Sequence, residues 1–183
     1  MIGTSSPVTS VAVFDNDLVL AALSENAPMR ASGATMRLLA AALAGAGITK
    51  GDVEVWAADL GPGSFTGVKV GVTIAKTLAF ALGTRVAGFS AFDLINRSAA
   101  AVPSRKGMYL VRDQDGTDEL PFDHPRVVAA KKYGGDHADF PAAENAALLF
   151  SEMELLTPEA MLPNYVLEPN ISKPKDKFGP VQK

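Results

Sequence analysis

The feature that most constrains this chain is the run Asp59-Leu60-Gly61-Pro62-Gly63-Ser64-Phe65-Thr66-Gly67, set between an apolar stretch rich in strand formers and an apolar stretch rich in helix formers. Glycines and a proline packed this closely cannot continue a strand or a helix. The stretch Val53 to Asp59 must therefore end as a buried strand. A helix runs from Val68 to Leu82 and is stopped by Gly83. Strand, tight turn and helix form the elementary step of an α/β layer. Backbone amides where such a turn opens a helix can hold an anion. The spacing matches neither common phosphate motif, because Val68 and not a lysine follows the last glycine, and the third glycine falls one residue late for a dinucleotide turn. Gly61, Gly63, Ser64, Thr66 and Gly67 thus carry two readings, a tight structural turn or a nucleotide- or phosphate-proximal one.

The flanks extend the pattern. Val8 to Phe14 and Leu18 to Leu23 are two strands joined by Asp15-Asn16-Asp17, and only Met1 and Ile2 precede them as a first strand. Thr35 to Ala46 (TMRLLAAALAGA) is a helix with almost no polar face, closed by Gly45 and Gly47. A helix apolar all round needs cover on several sides. On the Val68 to Leu82 helix, Lys69, Thr73, Lys76, Thr77 and Phe80 recur at helical spacing as one mixed face, which leaves Val70, Ile74, Leu78 and Ala81 for the core. Arg85 to Phe89 is a further strand, and Ser90-Ala91-Phe92-Asp93 opens a helix through Ala100. Beyond Ala101 the expectations are a strand over Gly107 to Arg112, a turn over Asp113 to Thr117 and a strand over Val127 to Lys132. A helix from Asp139-Phe140-Pro141 to about Leu155 follows, and then an extended segment over Asn164 to Pro169. The chain divides into a first lobe over residues 1–100, a reduced second lobe over 101–172 and a disordered lysine-rich tail over 173–183.

Composition narrows the function. The chain has 183 residues and 48% hydrophobic content, enough to build a packed core. Much of that content is alanine, which buries little surface per residue and leaves a role for association. A net charge of -3 argues against a surface that is itself a trap for nucleic acid. The absence of cysteine excludes disulfides, thiolate metal sites and thiol nucleophiles. No leader is recognised at the start and no run is expected to reach membrane-spanning length, so the expected compartment is the cytoplasm.

The run GPGSFTGVKVGVTIAKTLAFALGTRVAGFSAFDLI resembles the signature region of the TsaB family, with Gly71, Ala75, Lys76, Leu82, Gly83 and Ser90 in place. Thr4-Ser5, the hairpin Val8 to Glu25, and Pro163 with Tyr165 extend the resemblance more weakly over the rest of the chain. The resemblance implies an actin-like, RNase H-like α/β fold with a mixed sheet, built as one half-fold used twice. It implies a non-catalytic subunit that binds a TsaD-like enzyme, alongside a TsaE-like ATPase, for threonylcarbamoyl modification of a tRNA adenosine. The tRNA is then held indirectly through the complex, and the subunit is a homodimer when alone. It also implies contact through the first two helices, with Thr35, Met36, Leu39, Leu43, Lys69, Thr73, Ala75, Lys76 and Phe80 as the interface. No cofactor is expected on this chain alone, and ATP or ADP belongs at a partner interface.

The chain departs from the family at Gly3, where a carboxylate is usual, at Ser32-Gly33-Ala34, at Pro103-Ser104-Arg105 and at Leu167. A carboxylate at position 3 helps hold a nucleotide's metal in actin-like enzymes. Two alternatives remain: a small actin-like ATPase or kinase using Gly61 to Gly67 or Gly3 to Ser6 on phosphate, and a divergent homodimeric paralogue with another partner.

Other candidates have simpler readings. His124 and His137, each beside an aspartate, lack the spacing that puts two imidazoles on one ion. Glu25 with Asp15 or Asp17 is explained by turn chemistry. Trp56 and Phe65 are either stacking partners for a base or, more simply, a strand residue facing a helix and an aromatic that fixes the turn. Lys173, Lys175, Lys177 and Lys183 are a solubilising end or a phosphate contact. No serine has a histidine and acid to form a hydrolase triad.

Overall fold

A computed structural model of the chain describes residues 1–166. The lysine-rich tail and the end of the expected extended segment, from Leu167 on, lie outside the described residues. The first strands are β1 (Ile2–Gly3), β2 (Val8–Asp15) and β3 (Leu18–Asn26), followed by α1 (Ala31–Ala46), β4 (Val55–Asp59), α2 (Phe65–Leu82), β5 (Arg85–Phe89) and α3 (Ala91–Ile95). Then come β6 (Ala100–Pro103), β7 (Met108–Asp113), β8 (Gly116–Pro121), α4 (Pro125–Ala129), β9 (Lys131–Gly134), β10 (His137–Ala138) and a 3₁₀ segment, Ala143–Glu152.

The strands make two five-stranded mixed sheets, ordered β3-β2-β1-β4-β5 and β10-β9-β6-β7-β8. In the first, β1 is antiparallel to β2 and parallel to β4, and β4 is parallel to β5. The second repeats this plan. Its meander β6-β7-β8 is antiparallel, and after α4 the chain returns as β9, parallel to β6. One half-fold is therefore used twice, with the second copy shortened. The copy is incomplete at its end, where β10 pairs antiparallel with β9.

Strand alternation sets the two faces of the first sheet. Ile2, Val11, Trp56, Ala58 and Val86 point towards α1 and α2, into a core that also holds Leu39, Leu43, Val68, Val72, Ala75 and Met161. Met1, Ala12, Ala57, Ala87 and Phe89 point the other way, against Leu94 and the 3₁₀ residues Ala143, Ala146 and Leu149. Residues beyond Ala142 thus pack on the first sheet, although the sequence placed them in the second lobe. Leu156 bridges to Val86, and Asn164 N–H donates to Leu60 O at 2.8 Å.

Several expected elements are corrected. Helix α1 begins at Ala31, so Ser32-Gly33-Ala34 forms its first turn and does not precede it. The helix after Ser90 ends at Ile95, because Asn96 Oδ1 accepts from the N–H groups of Ser98 and Ala99 and turns the chain into β6. Strand β8 occupies Gly116–Pro121, where the sequence suggested only a turn. Val127 to Ala129 is helical, since His124 Nδ1 caps α4 and Pro125 opens it. Lys132 Nζ donates to the carbonyls of Val127, Val128 and Ala130 and closes that helix. The segment from Asp139 is no α-helix: Asp139 pairs with Lys131 at 3.7 Å, and the 3₁₀ winding starts at Ala143 with no side-chain cap. Helix α2, at 18 residues and mean hydropathy 1.4, is long and apolar enough to cross a membrane, contrary to the expectation for this sequence. Here it packs against β4.

Candidate functional site

Two features stand at the site named from the sequence: the glycine-rich turn, and the outer faces of the helices on either side of β4. Helix α2 starts three residues before Val68, with Ser64 as its cap; the Ser64 hydroxyl accepts from Gly67 N–H. The turn is pressed onto the end of β1. Ser64 N–H donates to Ser5 O at 2.6 Å, and the Thr4 hydroxyl donates to Gly67 O at 2.8 Å. A side chain at Gly63 or Gly67 would run into the backbone of Ser5 or Thr4, and one at Gly71 into the Thr4 hydroxyl. Glycine is required there because helix and strand end touch through main chain.

Asp59 is the polar centre of this contact. It is fully buried at the end of β4, and its carboxylate accepts from Gly61 N–H at 2.8 Å and from Ser5 N–H at 3.3 Å. It therefore ties the end of β1 to the start of the turn. Burial pushes its pKa up to about 6, against the lowering effect of those hydrogen bonds. Burial also raises the Tyr133 hydroxyl, with Asp59 as a further cause, so the second sheet brings Tyr133 within electrostatic reach of this carboxylate.

Half of the turn's amides are committed inside the chain. Gly61 serves Asp59, Ser64 serves Ser5, Gly67 the Ser64 hydroxyl, and Val68 the Ser64 carbonyl. These bonds fix the turn against β1, while the N–H groups of Gly63, Phe65 and Thr66 at the start of α2 have no acceptor among the described residues. At Gly3 the space for a side chain is contested by the Ser10 hydroxyl, which accepts from Ala143 N–H at 3.1 Å. Among the described residues, no three His, Asp or Glu side chains gather to hold a metal.

Burial sorts the residues expected at the interface. Thr35, Leu39, Leu43 and Ala75 are buried in the chain's own core. They cannot meet a partner while α1 and α2 lie on the sheet, which corrects their assignment. Lys76 is half-buried, its ammonium bound to Met161 O at 2.9 Å and Glu159 O at 3.5 Å, so it clasps the returning segment to α2. Met36, Lys69, Thr73 and Phe80 remain exposed, Phe80 at 75%. The core side of α2 is Val68, Gly71, Val72, Ala75 and Ala79, with Ile74 and Leu78 partly buried; Ala81, expected inside, is exposed. Helix α1 is covered on one side only, and its outer side carries Met36, Arg37, Ala40, Ala41 and Ala44.

The remaining candidates resolve into structure. Phe65 stacks on Tyr165 at 4.9 Å between ring centres, with Lys69 Nζ 3.9 Å above its ring. Glu25 pairs with Arg37 at 2.8 Å, at the far end of the hairpin from Asp15. His124 is spent on its cap, and His137 lies in β10. Sequence reasoning did not foresee Asp59 as the link between β1 and the turn; its signal was a charge closing an otherwise apolar strand.

The family model for TsaD, tRNA N6-adenosine threonylcarbamoyltransferase, matches residues 25–106. No curated protein sequence matches the chain. A Pseudomonas aeruginosa structure described as an uncharacterized protein with similarity to peptidase YEAZ superposes with a TM-score of 0.73 at 23% identity, covering 91% of this chain and 97% of that one. YeaZ from Pseudomonas aeruginosa superposes with a TM-score of 0.72 at 24% identity, covering 90% and 97%. Two mixed sheets of repeated plan, flanked by helices, define an α/β protein whose fold is that of these structures. The chain thus shares its fold with YeaZ, and the TsaD model matches the part of it that carries α1, β4, the GPGSFTG turn and α2.

Proposed function

We propose that this chain is a non-catalytic subunit of a tRNA threonylcarbamoyladenosine system, docking a TsaD-like enzyme on the outer faces of α1 and α2. The observation that carries the reading is the uncovered side of that helix pair. Met36 and Phe80 are exposed apolar side chains on helices whose other faces are fully used by the core. Small residues on the outer side of α1 allow close approach of another helix, and Lys69 with Thr73 adds a polar rim. In this reading the glycine turn is a rigid support that fixes where α2 begins, and nucleotide, when present, belongs to the assembled interface. A TsaE-like ATPase completes the complex, tRNA is reached through it, and the same face closes a homodimer when the enzyme is missing. The compartment is the cytoplasm.

The crowded position 3, where the Ser10 hydroxyl takes the space of a side chain, favours this reading over an independent ATPase or kinase. The test is purification with the organism's TsaD-like protein, together with an ATP hydrolysis assay on the chain alone. A complex and no hydrolysis are expected. Hydrolysis lost on Thr66→Ala would establish the rival enzyme instead.

A further inference from the structure

The outermost strands of the two sheets are β3, β5, β8 and β10, and three of them are covered, charged or very short. Beside β5, Leu156 exchanges both backbone hydrogen bonds with Val86, at 2.8 and 3.0 Å. Strand β8 carries Asp118, Glu119 and Pro121, and β10 has only two residues. Strand β3 has none of these protections. It runs for nine residues, Leu18–Asn26, without proline or lysine, and its one charge, Glu25, is already paired with Arg37. No described residue pairs with its outer side, along which Leu18, Val19, Leu20 and Leu23 are exposed.

The ladder with β2 fixes which backbone groups of β3 point outwards. Ala12 N–H donates to Met1 O on the β1 side, and the N–H and C=O of one strand residue point the same way. Ala22, opposite Ala12, therefore turns its N–H and C=O away from β2, and Ser24, two residues on, does the same. Towards the hairpin the register slips at Leu20, between the pairs Val13–Ala21 and Phe14–Val19, so the regular edge is Ala21 to Asn26.

A second copy laid antiparallel answers this edge when the two-fold axis passes through Leu23. Ala22 of each copy then exchanges both ladder hydrogen bonds with Ser24 of the other. Leu23 meets Leu23 on the face that Val11 shares with α1. The charges at the two ends set the same sense. Asp15 and Asp17 are exposed at the hairpin end, and Arg30 is exposed at the other, beside the Arg37–Glu25 pair. Antiparallel pairing turns each acidic hairpin towards the other copy's arginines, whereas parallel pairing sets acid beside acid. Such a contact uses one surface twice and closes at two copies.

We propose that β3 is a self-association edge, at which two copies of this chain pair antiparallel through Ala21 to Asn26 and join their first sheets across a two-fold axis at Leu23. The edge is distinct from the outer faces of α1 and α2. It therefore stands or falls apart from the partner reading above and from a homodimer closed by the helix face.

Because the chain has no cysteine, a single introduced thiol reports the axis directly. Directly opposed residues of a non-hydrogen-bonded antiparallel pair have Cα atoms about 4.5 Å apart, within the span of a disulfide. The full chain carrying Met36→Glu and Phe80→Glu, which silence the helix face, is used as the background. Leu23→Cys should be oxidised by glutathione disulfide to a covalent dimer. Leu18→Cys, on the same strand and more exposed but away from the axis, should crosslink at least tenfold more slowly. Ser24→Pro removes an outward N–H and keeps the ladder with β2, so it should slow crosslinking of Leu23→Cys tenfold or more. Amide exchange of the unsubstituted chain is the second readout: protection at Ala22 and Ser24 should rise with protein concentration. Equal or absent crosslinking at the two positions, or exchange at Ala22 and Ser24 that does not change with concentration, would overturn the proposal. So would protection of these amides that appears only when the TsaD-like protein is added, since the edge would then belong to the enzyme.

Discussion

Replacing Asp59 by asparagine should remove a specific pH dependence from folding. In the folded chain the carboxyl is fully buried with a pKa of about 6, against the 3.8 of an aspartate in water. A raised folded pKa means that the native state binds the proton more tightly than the unfolded chain does. Its contribution to stability is fully present below the unfolded value and is lost as pH rises through about 6. The difference corresponds to about 3 kcal/mol between the two limits. Urea unfolding of wild type and Asp59→Asn at a series of pH values from 4 to 8 isolates this group, because every other titration is shared by both proteins. At pH 8 asparagine has no ionised form to bury, yet its amide N–H₂ faces a backbone N–H, a mismatch of about 1–3 kcal/mol. The absolute offset therefore depends on both effects, whereas the slope does not. Wild type should lose stability relative to the variant as pH rises from 4, most steeply near about 5, and level off above about 7. Parallel pH curves for the two proteins would refute the assignment of a raised pKa to this buried contact.

Other substitutions test the packing around the turn and the two helices. Gly71→Ala should cost about 1–3 kcal/mol in urea unfolding, because the methyl displaces the Thr4 hydroxyl from its bond to Gly67 O. Leu39→Ala should cost about 2–5 kcal/mol, since Leu39 is 3% exposed. Met36→Ala, on the open side of the same helix, should stay within about 0.5 kcal/mol. Lys76→Met should speed proteolysis and amide exchange over residues 157–164, because the ammonium that holds Met161 O and Glu159 O is gone.

What the sequence revealed follows from how local each signal is. The Asp-Asn turn of the first hairpin, the strand Arg85 to Phe89 and the stops at Gly47 and Gly83 are encoded within a few residues, and the structure shows them where they were expected. Strand β8 was missed because Thr117-Asp118-Glu119 is polar, and its pairing with β7 is a tertiary gain. The false helix after Asp139 shows the converse. A proline and a nearby acid suggested a cap, but Asp139 was already engaged by Lys131. At the helix pair, composition showed two apolar helices but could not assign their faces. Alanine is compatible with either side, and the resemblance put Leu39 and Ala75 on a partner surface, whereas both are buried against the sheet. Asp59 could not be weighed from sequence at all, since its importance comes from Ser5, which is distant along the chain and adjacent across the β1–β4 ladder.

The central claim is that the open side of α1 and α2 receives a TsaD-like enzyme. Titration calorimetry between the two purified proteins, comparing wild type with Met36→Glu plus Phe80→Glu, tests it most directly. The account predicts binding by the wild type and at least a hundredfold loss in the double variant, whose melting temperature stays unchanged because both side chains are exposed. Equal affinity of the two proteins, or no binding by the wild type, would contradict it.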